Sequence, residues 1–179
     1  MTKIPVLTNT QASPRIQELW SKAPFVLNIN RLVAHAESAY KPCMSLGLKL
    51  LTRAELPARY RELVILRIAH RHGARYEWSH HERIARNLGF TEEEIQGVRE
   101  TDPSACFSDL DRAVLRFADE LICRARAPDE LSARLREHLS DRQMVELILS
   151  IGYWNMIAML IVNAGVELEE QEGDTKKNG

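Results

Sequence analysis

Three residues in the middle of this chain could do proton chemistry together: Glu62, Glu77 and His81. They fall in "RELVILRIAHRHGARYEWSHHERIARNLG", where adjacent histidines follow a glutamate closely. Turning each residue of 75–88 by about 100° gathers Trp78, Ile84, Ala85 and Leu88 on one arc. His81 falls near the middle of that arc and Glu77 on its edge, one turn earlier. His80 sits on the polar flank, with Ser79, Arg83, Arg86 and Asn87 beyond it. A glutamate four residues before a histidine on a helix can meet it. A buried imidazole needs a partner for at least one nitrogen, and a carboxylate can supply it. That carboxylate favours the charged ring while burial opposes it, which suits general acid–base catalysis near neutral pH.

Glu62 projects from an apolar arc between Ile65, Leu66 and Ala69 on a helix whose circumference is mostly apolar. An ionised carboxylate there is costly unless a cation or donor lies close. Two helices joined at Gly73 would pack antiparallel and could bring Glu62, Glu77 and His81 to one pocket. The same residues also admit a structural reading, in which Glu–His is a packed pair and Glu62 binds a core arginine. Trp78, His80 and Arg75 are the candidate substrate contacts. His70 and His72 lie far apart in angle on a helix, so no metal site is expected there.

The elements that must position these groups all read as helices. Apolar residues recur at three- and four-residue intervals, without the alternation of strands. Eight glycines and seven prolines fall mostly at segment ends. Thr91 with Glu94 and Ser140 with Gln143 fit capping boxes, and Ser108 with Asp111 is a weaker version. Pro57 and Pro128 suit first helical turns. The pattern predicts helices near 13–22, 24–37, 42–52, 57–72, 75–88, 91–99, 108–126, 128–138 and 141–164. The segment "RETDPSACFS" is expected to be a loop and "EEQEGDTKKNG" a disordered tail. The expected organisation is one all-α domain over 1–168, followed by a polar tail over 169–179.

Composition narrows the function classes. The 179 residues carry a formal charge of −1, with 45% hydrophobic and 27% charged residues. Acidic and basic residues are mixed, which argues against a nucleic-acid or anionic-membrane partner. Three cysteines, Cys43, Cys106 and Cys123, form no CxxC pair and no zinc spacing. The opening "MTKIPVLTNTQASP" lacks the pattern of a secretory signal, so a reduced, cytoplasmic setting is expected. The uncharged run "LILSIGYWNMIAMLIV" is short for a bilayer span and is expected to be a buried or interface helix. It is apolar almost all round through Tyr153, Trp154, Met156, Ile157, Met159, Leu160 and Ile161, which predicts a homo-oligomer.

The run "LPARYRELVILRIAHRHGARYEWSHHERIARNLGFTEEEI" resembles the carboxymuconolactone decarboxylase family, as do "IPVL", "LDRAVLRFADEL" and "VELILSIGYWNMIAMLIVNAGVELE". The resemblance implies an all-α fold of the alkylhydroperoxidase D type, assembled as trimers or hexamers. In the peroxidase branch of that family a glutamate, a CxxC pair and a histidine form a thiol relay. Matching "RELV" and "HxxxA" makes Glu62 the relay glutamate and His81 the relay histidine, and puts Ala74 and Glu77 at the two cysteine positions. Alanine and glutamate cannot act as thiols. The "YEWSHH" form resembles the branch without cysteines, which implies cofactor-free acid–base chemistry of the lyase type on a small acidic or lactone substrate. In that reading His81 donates the proton, Glu77 orients it and Glu62 is a second proton-transfer group. A peroxidase activity, as in the CxxC relatives, and a non-catalytic oligomeric binding protein are the alternatives.

Overall fold

A computed structural model describes residues 3–101 and 106–169. Among them every regular element is a helix: α1 (Pro14–Ser21), α2 (Asn28–Val33), α3 (Glu37–Thr52), α4 (Ala58–His72), α5 (Arg75–Asn87), α6 (Glu92–Gly97), α7 (Asp109–Arg124), α8 (Asp129–Arg136) and α9 (Asp141–Ala164). The helices group into two compact units, residues up to Ser45 with those from Asn163 onward, and Leu46–Val162. Parts of the expected loop and nearly all of the expected tail lie outside the described residues.

In the larger unit α4 is the central element, packed against both α5 and α7. Residues Arg61 to Ala69 are buried without interruption. Leu63 and Leu66 join Ala85, Phe90, Ile95, Val98, Phe107 and Leu115 in one core drawn from α4 to α7 and their connections. Two arginines of α4 fasten its neighbours. Arg67, almost fully buried, pairs with Asp119 at 2.7 Å and donates to the Val98 and Glu100 carbonyls. Arg59 pairs with Asp111 at 2.9 Å and Glu94 at 2.5 Å. These ties fix α6 and α7 against the helix that carries Glu62, in low-dielectric surroundings where such charge-assisted bonds are strong.

Gly73 ends α4 in the left-handed region, with φ of 65°, so that its amide reaches back to Ala69 and His70 carbonyls. Glycine takes this conformation without a Cβ penalty. The reversal turns α5 back along α4, as the short joint at Gly73 predicts. Thr91 with Glu94 and Ser108 with Asp111 close reciprocal capping boxes on α6 and α7. Ser140 and Gln143 exchange the same pair of bonds at the start of α9.

The smaller unit is built on Ala12, Ile16, Trp20, Val33, Ala34 and Tyr40, with Trp20 Nε1 donating to Tyr40 Oη at 2.9 Å. Here the helix expected over 24–37 is shorter, and the one expected from residue 42 begins at Glu37. Pro42 lies inside α3. Its missing N–H removes one early helical bond, and the helix continues through it.

Candidate active site

Glu62 and His81 meet in the interior. His81 Nδ1 lies 2.7 Å from Glu62 Oε2, with the carboxylate fully buried and the imidazole nearly so. Arg61 Nε donates to the other oxygen, Oε1, at 3.1 Å. The cost of a charged carboxylate at this depth is therefore met by a cation on one oxygen and an imidazole on the other. Occupying Nδ1 leaves Nε2 as the nitrogen available for proton exchange. The indole of Trp154 meets the imidazole edge-on, with centroids 4.6 Å apart and planes at 74°. Trp154 in turn meets the Tyr153 ring at 5.0 Å and 87°.

Glu77 has a different place from the one its spacing suggests. It lies one turn before His81, yet neither carboxylate oxygen has a hydrogen-bond partner among the described residues. The side chain is 2% exposed. Burial, with no opposing partner, pushes its pKa well above the ordinary 4.5. The expectation that Glu77 orients His81 is thus corrected: that role falls to Glu62, across the α4–α5 contact. Two further buried polar atoms near this part of α9, Ser150 Oγ and Trp154 Nε1, also lack partners among the described residues.

Arg75 and Trp78 lie elsewhere. They line a cleft of about 380 Å³ with Ser79, Glu82, His70 and Arg99 around the Gly73–Ala74 turn. None of Glu62, Glu77 and His81 lines it. Trp78 is half-buried, its Nε1 donating to Glu82 Oε2 at 3.0 Å and its ring covered by the Arg99 guanidinium at 4.1 Å. Leu88, expected on the apolar arc of α5, is 46% exposed because it follows the helix at its cap. His80 packs its ring against Tyr76, 4.6 Å between centroids. His72 Nε2 bonds Asn155 Oδ1 at 2.6 Å and so ties the end of α4 to α9. Among the described residues no group of three or more His, Cys, Asp or Glu side chains is arranged to hold a metal ion. None of the three cysteines forms a disulfide among the described residues.

Two site residues were not singled out from sequence. Arg61 carries no signal beyond adjacency to Glu62. Trp154 sits in a run so uniformly apolar that its facing cannot be read from periodicity.

Residues 37–120 match the model of the carboxymuconolactone decarboxylase family. The uncharacterized protein YdfG of Bacillus subtilis (strain 168) is 32% identical over 108 residues, spanning 58% of this chain and 74% of that protein. Several solved structures share the fold, among them these two. One is an alkylhydroperoxidase AhpD core, a peroxidase-related protein from Ralstonia eutropha JMP134, at TM-score 0.75 and 20% identity over 94% of this chain and 93% of that one. The other is a variant of the debrominase Bmp8 in complex with 2,3,4-tribromopyrrole, at TM-score 0.72 and 17% identity over 94% and 92%.

Proposed function

The chain belongs to the carboxymuconolactone decarboxylase family, and from that premise we propose that it is an acid–base enzyme of the lyase type, acting without thiol chemistry on a small acidic or lactone substrate. The observation that carries this reading is the buried bond between His81 Nδ1 and Glu62 Oε2 at 2.7 Å, in a chain with Ala74 and Glu77 at the positions matched to the relay cysteines. In decarboxylation the electron pair of the breaking C–C bond stays on the substrate as CO₂ leaves. It is conjugated into an enolate-like system and then captured by a proton. His81 gives that proton from Nε2 and recovers one afterwards, while Glu62 holds Nδ1 and stabilises the charged ring. Burial raises the Glu77 pKa, which favours its use as a neutral donor, the role a carboxylic acid takes in apolar surroundings.

The test is CO₂ release from carboxymuconolactone by wild-type protein and by a folded His81→Gln variant. Release that falls by about 10²-fold or more in the variant supports the reading. A folded wild type that releases no CO₂ retires decarboxylation of this substrate.

The proposed partner for assembly is a second copy of the chain. Val145, Ile148, Leu149, Met156 and Met159 form an exposed apolar stripe on α9, the same helix whose other face presents Trp154 to His81. By length and composition α9 could cross a bilayer, with 44% of its most apolar window buried. Trimers or hexamers are the assemblies that the family resemblance implies.

A further inference from the structure

The cleft around the Gly73–Ala74 turn combines features that neither the core nor the Glu62–His81 pair requires. Arg75 and Arg99 both line it, and neither has a carboxylate partner among the described residues. By contrast, Arg59, Arg61, Arg67, Arg71, Arg86 and Arg142 each pair with an acid. The one acid on the wall, Glu82, is already engaged: Arg86 Nη2 lies 2.8 Å from its Oε1, and Trp78 Nε1 donates to its Oε2. The cleft is left with an excess of positive charge. His70, also on the wall, records that field: burial first, then the guanidinium groups of Arg67, Arg99 and Arg71, lower its pKa.

We propose that this cleft is a binding site for a small organic anion, its carboxylate or phosphate held by Arg75 and Arg99 and its apolar body resting against Trp78. Arg99 is placed for both tasks, because its guanidinium carbon already lies over the indole, 4.1 Å from the ring centroid. An arginine stacked this way keeps its in-plane N–H donors free for an anion in front of the ring edge. Ser79 adds a hydroxyl on the α5 side. A volume of about 380 Å³ lies near the lower end of small-molecule sites, which limits the body to roughly one ring or its open-chain equivalent. Two unpaired arginines in a concavity with an aromatic wall form the recognition set for such a ligand. The site does not rest on the acid–base reading, since none of its residues touches Glu62 or His81 in that scheme.

The experiment is calorimetric titration of the full-length protein with benzoate, inorganic phosphate and, as a cationic control of similar size, benzylamine. The same titrations are made on Arg75→Gln and Arg99→Gln variants, both at exposed positions. Saturable benzoate binding, weakened about tenfold or more in each variant, is the expected result. Phosphate binding with the same loss, and no benzoate binding, places the site with free phosphate groups and removes the apolar half of the proposal. Benzylamine binding as well as benzoate, or benzoate binding unchanged in both variants, overturns it. So does the absence of saturable binding by either anion. A folded wild type that binds benzoate but releases no CO₂ from carboxymuconolactone leaves this site standing and removes the reaction alone.

Discussion

His81 gives its Nδ1 to Glu62, which is 19 residues away in sequence, and not to Glu77 one turn away on its own helix. The consequence is a division of labour between two buried carboxyl groups. Glu62 is bracketed by Arg61 and His81; Glu77 has no hydrogen-bond partner among the described residues, and burial raises its pKa.

That division predicts an order among variants. Glu62→Gln retains an oxygen that can accept from Nδ1, so His81 keeps its orientation. Glu62→Leu frees the ring to turn and strands Arg61, which is buried. Turnover is expected to fall in the order wild type, Glu62→Gln, Glu62→Leu, with His81→Gln about 10²–10⁴-fold below wild type. Breaking the buried pair in Glu62→Leu costs about 3–5 kcal/mol in urea unfolding, and Glu62→Gln costs less. Stability that falls while turnover per folded molecule stays constant assigns the pair to structure alone.

Glu77 predicts a pH signature in stability. Its folded pKa is raised above the ordinary 4.5. Below that value folded and unfolded chains are both protonated, and burial of the acid carries no ionic cost. As pH rises through 4.5 the unfolded chain releases its proton while the folded one keeps it, so stability falls until the raised folded value is reached. Glu77→Gln removes this slope. The variant should match wild type most closely in acid and exceed it increasingly towards neutral pH, as read from urea midpoints at a series of pH values. Parallel profiles for the two proteins show instead that the carboxylate finds a partner.

Much of this arrangement was legible in the sequence, and its limits have physical causes. Helical spacing of apolar residues marked α4 to α9, one-sided in α5 and α7 and nearly all round in α4 and α9, and the hydroxyl spacings marked the starts of α6, α7 and α9. Periodicity also put Glu62 and His81 on buried arcs. It could not choose between Glu62 and Glu77 as the partner of His81, because the i, i+4 rule names possible neighbours within a helix and says nothing of the approach of another. The facing of Trp154 was hidden for the opposite reason: α9 is apolar all round, so every orientation satisfies the pattern. Arg99 joins Trp78 only through the packing of α6, which no local signal encodes.

Two glycines offer a matched test of how Trp154 is held. A Cβ on Gly47 would clash with Tyr153 Oη and lie 2.6 Å from its Cζ, against a buried ring. The ring must move, and it is the ring that meets Trp154 edge-on. Gly47→Ala is therefore expected to destabilise by about 1–3 kcal/mol and to lower turnover through the indole beside His81. A Cβ on Gly152 meets nothing within 4 Å. In a solvent-facing helix interior Gly152→Ala should gain about 0.5–1 kcal/mol without changing turnover in the monomer. Thermal unfolding of both variants decides the matter, and equal effects would remove the role assigned to Tyr153.

The exposed stripe of α9 makes the last prediction. Val145, Ile148, Leu149, Met156 and Met159 are each more than a third exposed, and their spacing of three and four residues keeps them on one face. Leaving such a stripe in water forfeits roughly 25 cal/mol for each Å² of apolar surface that a neighbour could cover. A second copy of the chain supplies the same stripe, so the contact can be self-complementary. Ile148→Glu puts a charge in the middle of that face, where its desolvation opposes association, while leaving the buried side of α9 untouched. Light scattering on a sizing column is expected to show an oligomer for wild type and a smaller species for Ile148→Glu at the same concentration, with helical content unchanged. A wild-type protein that remains monomeric at tens of micromolar removes self-association as the use of this face.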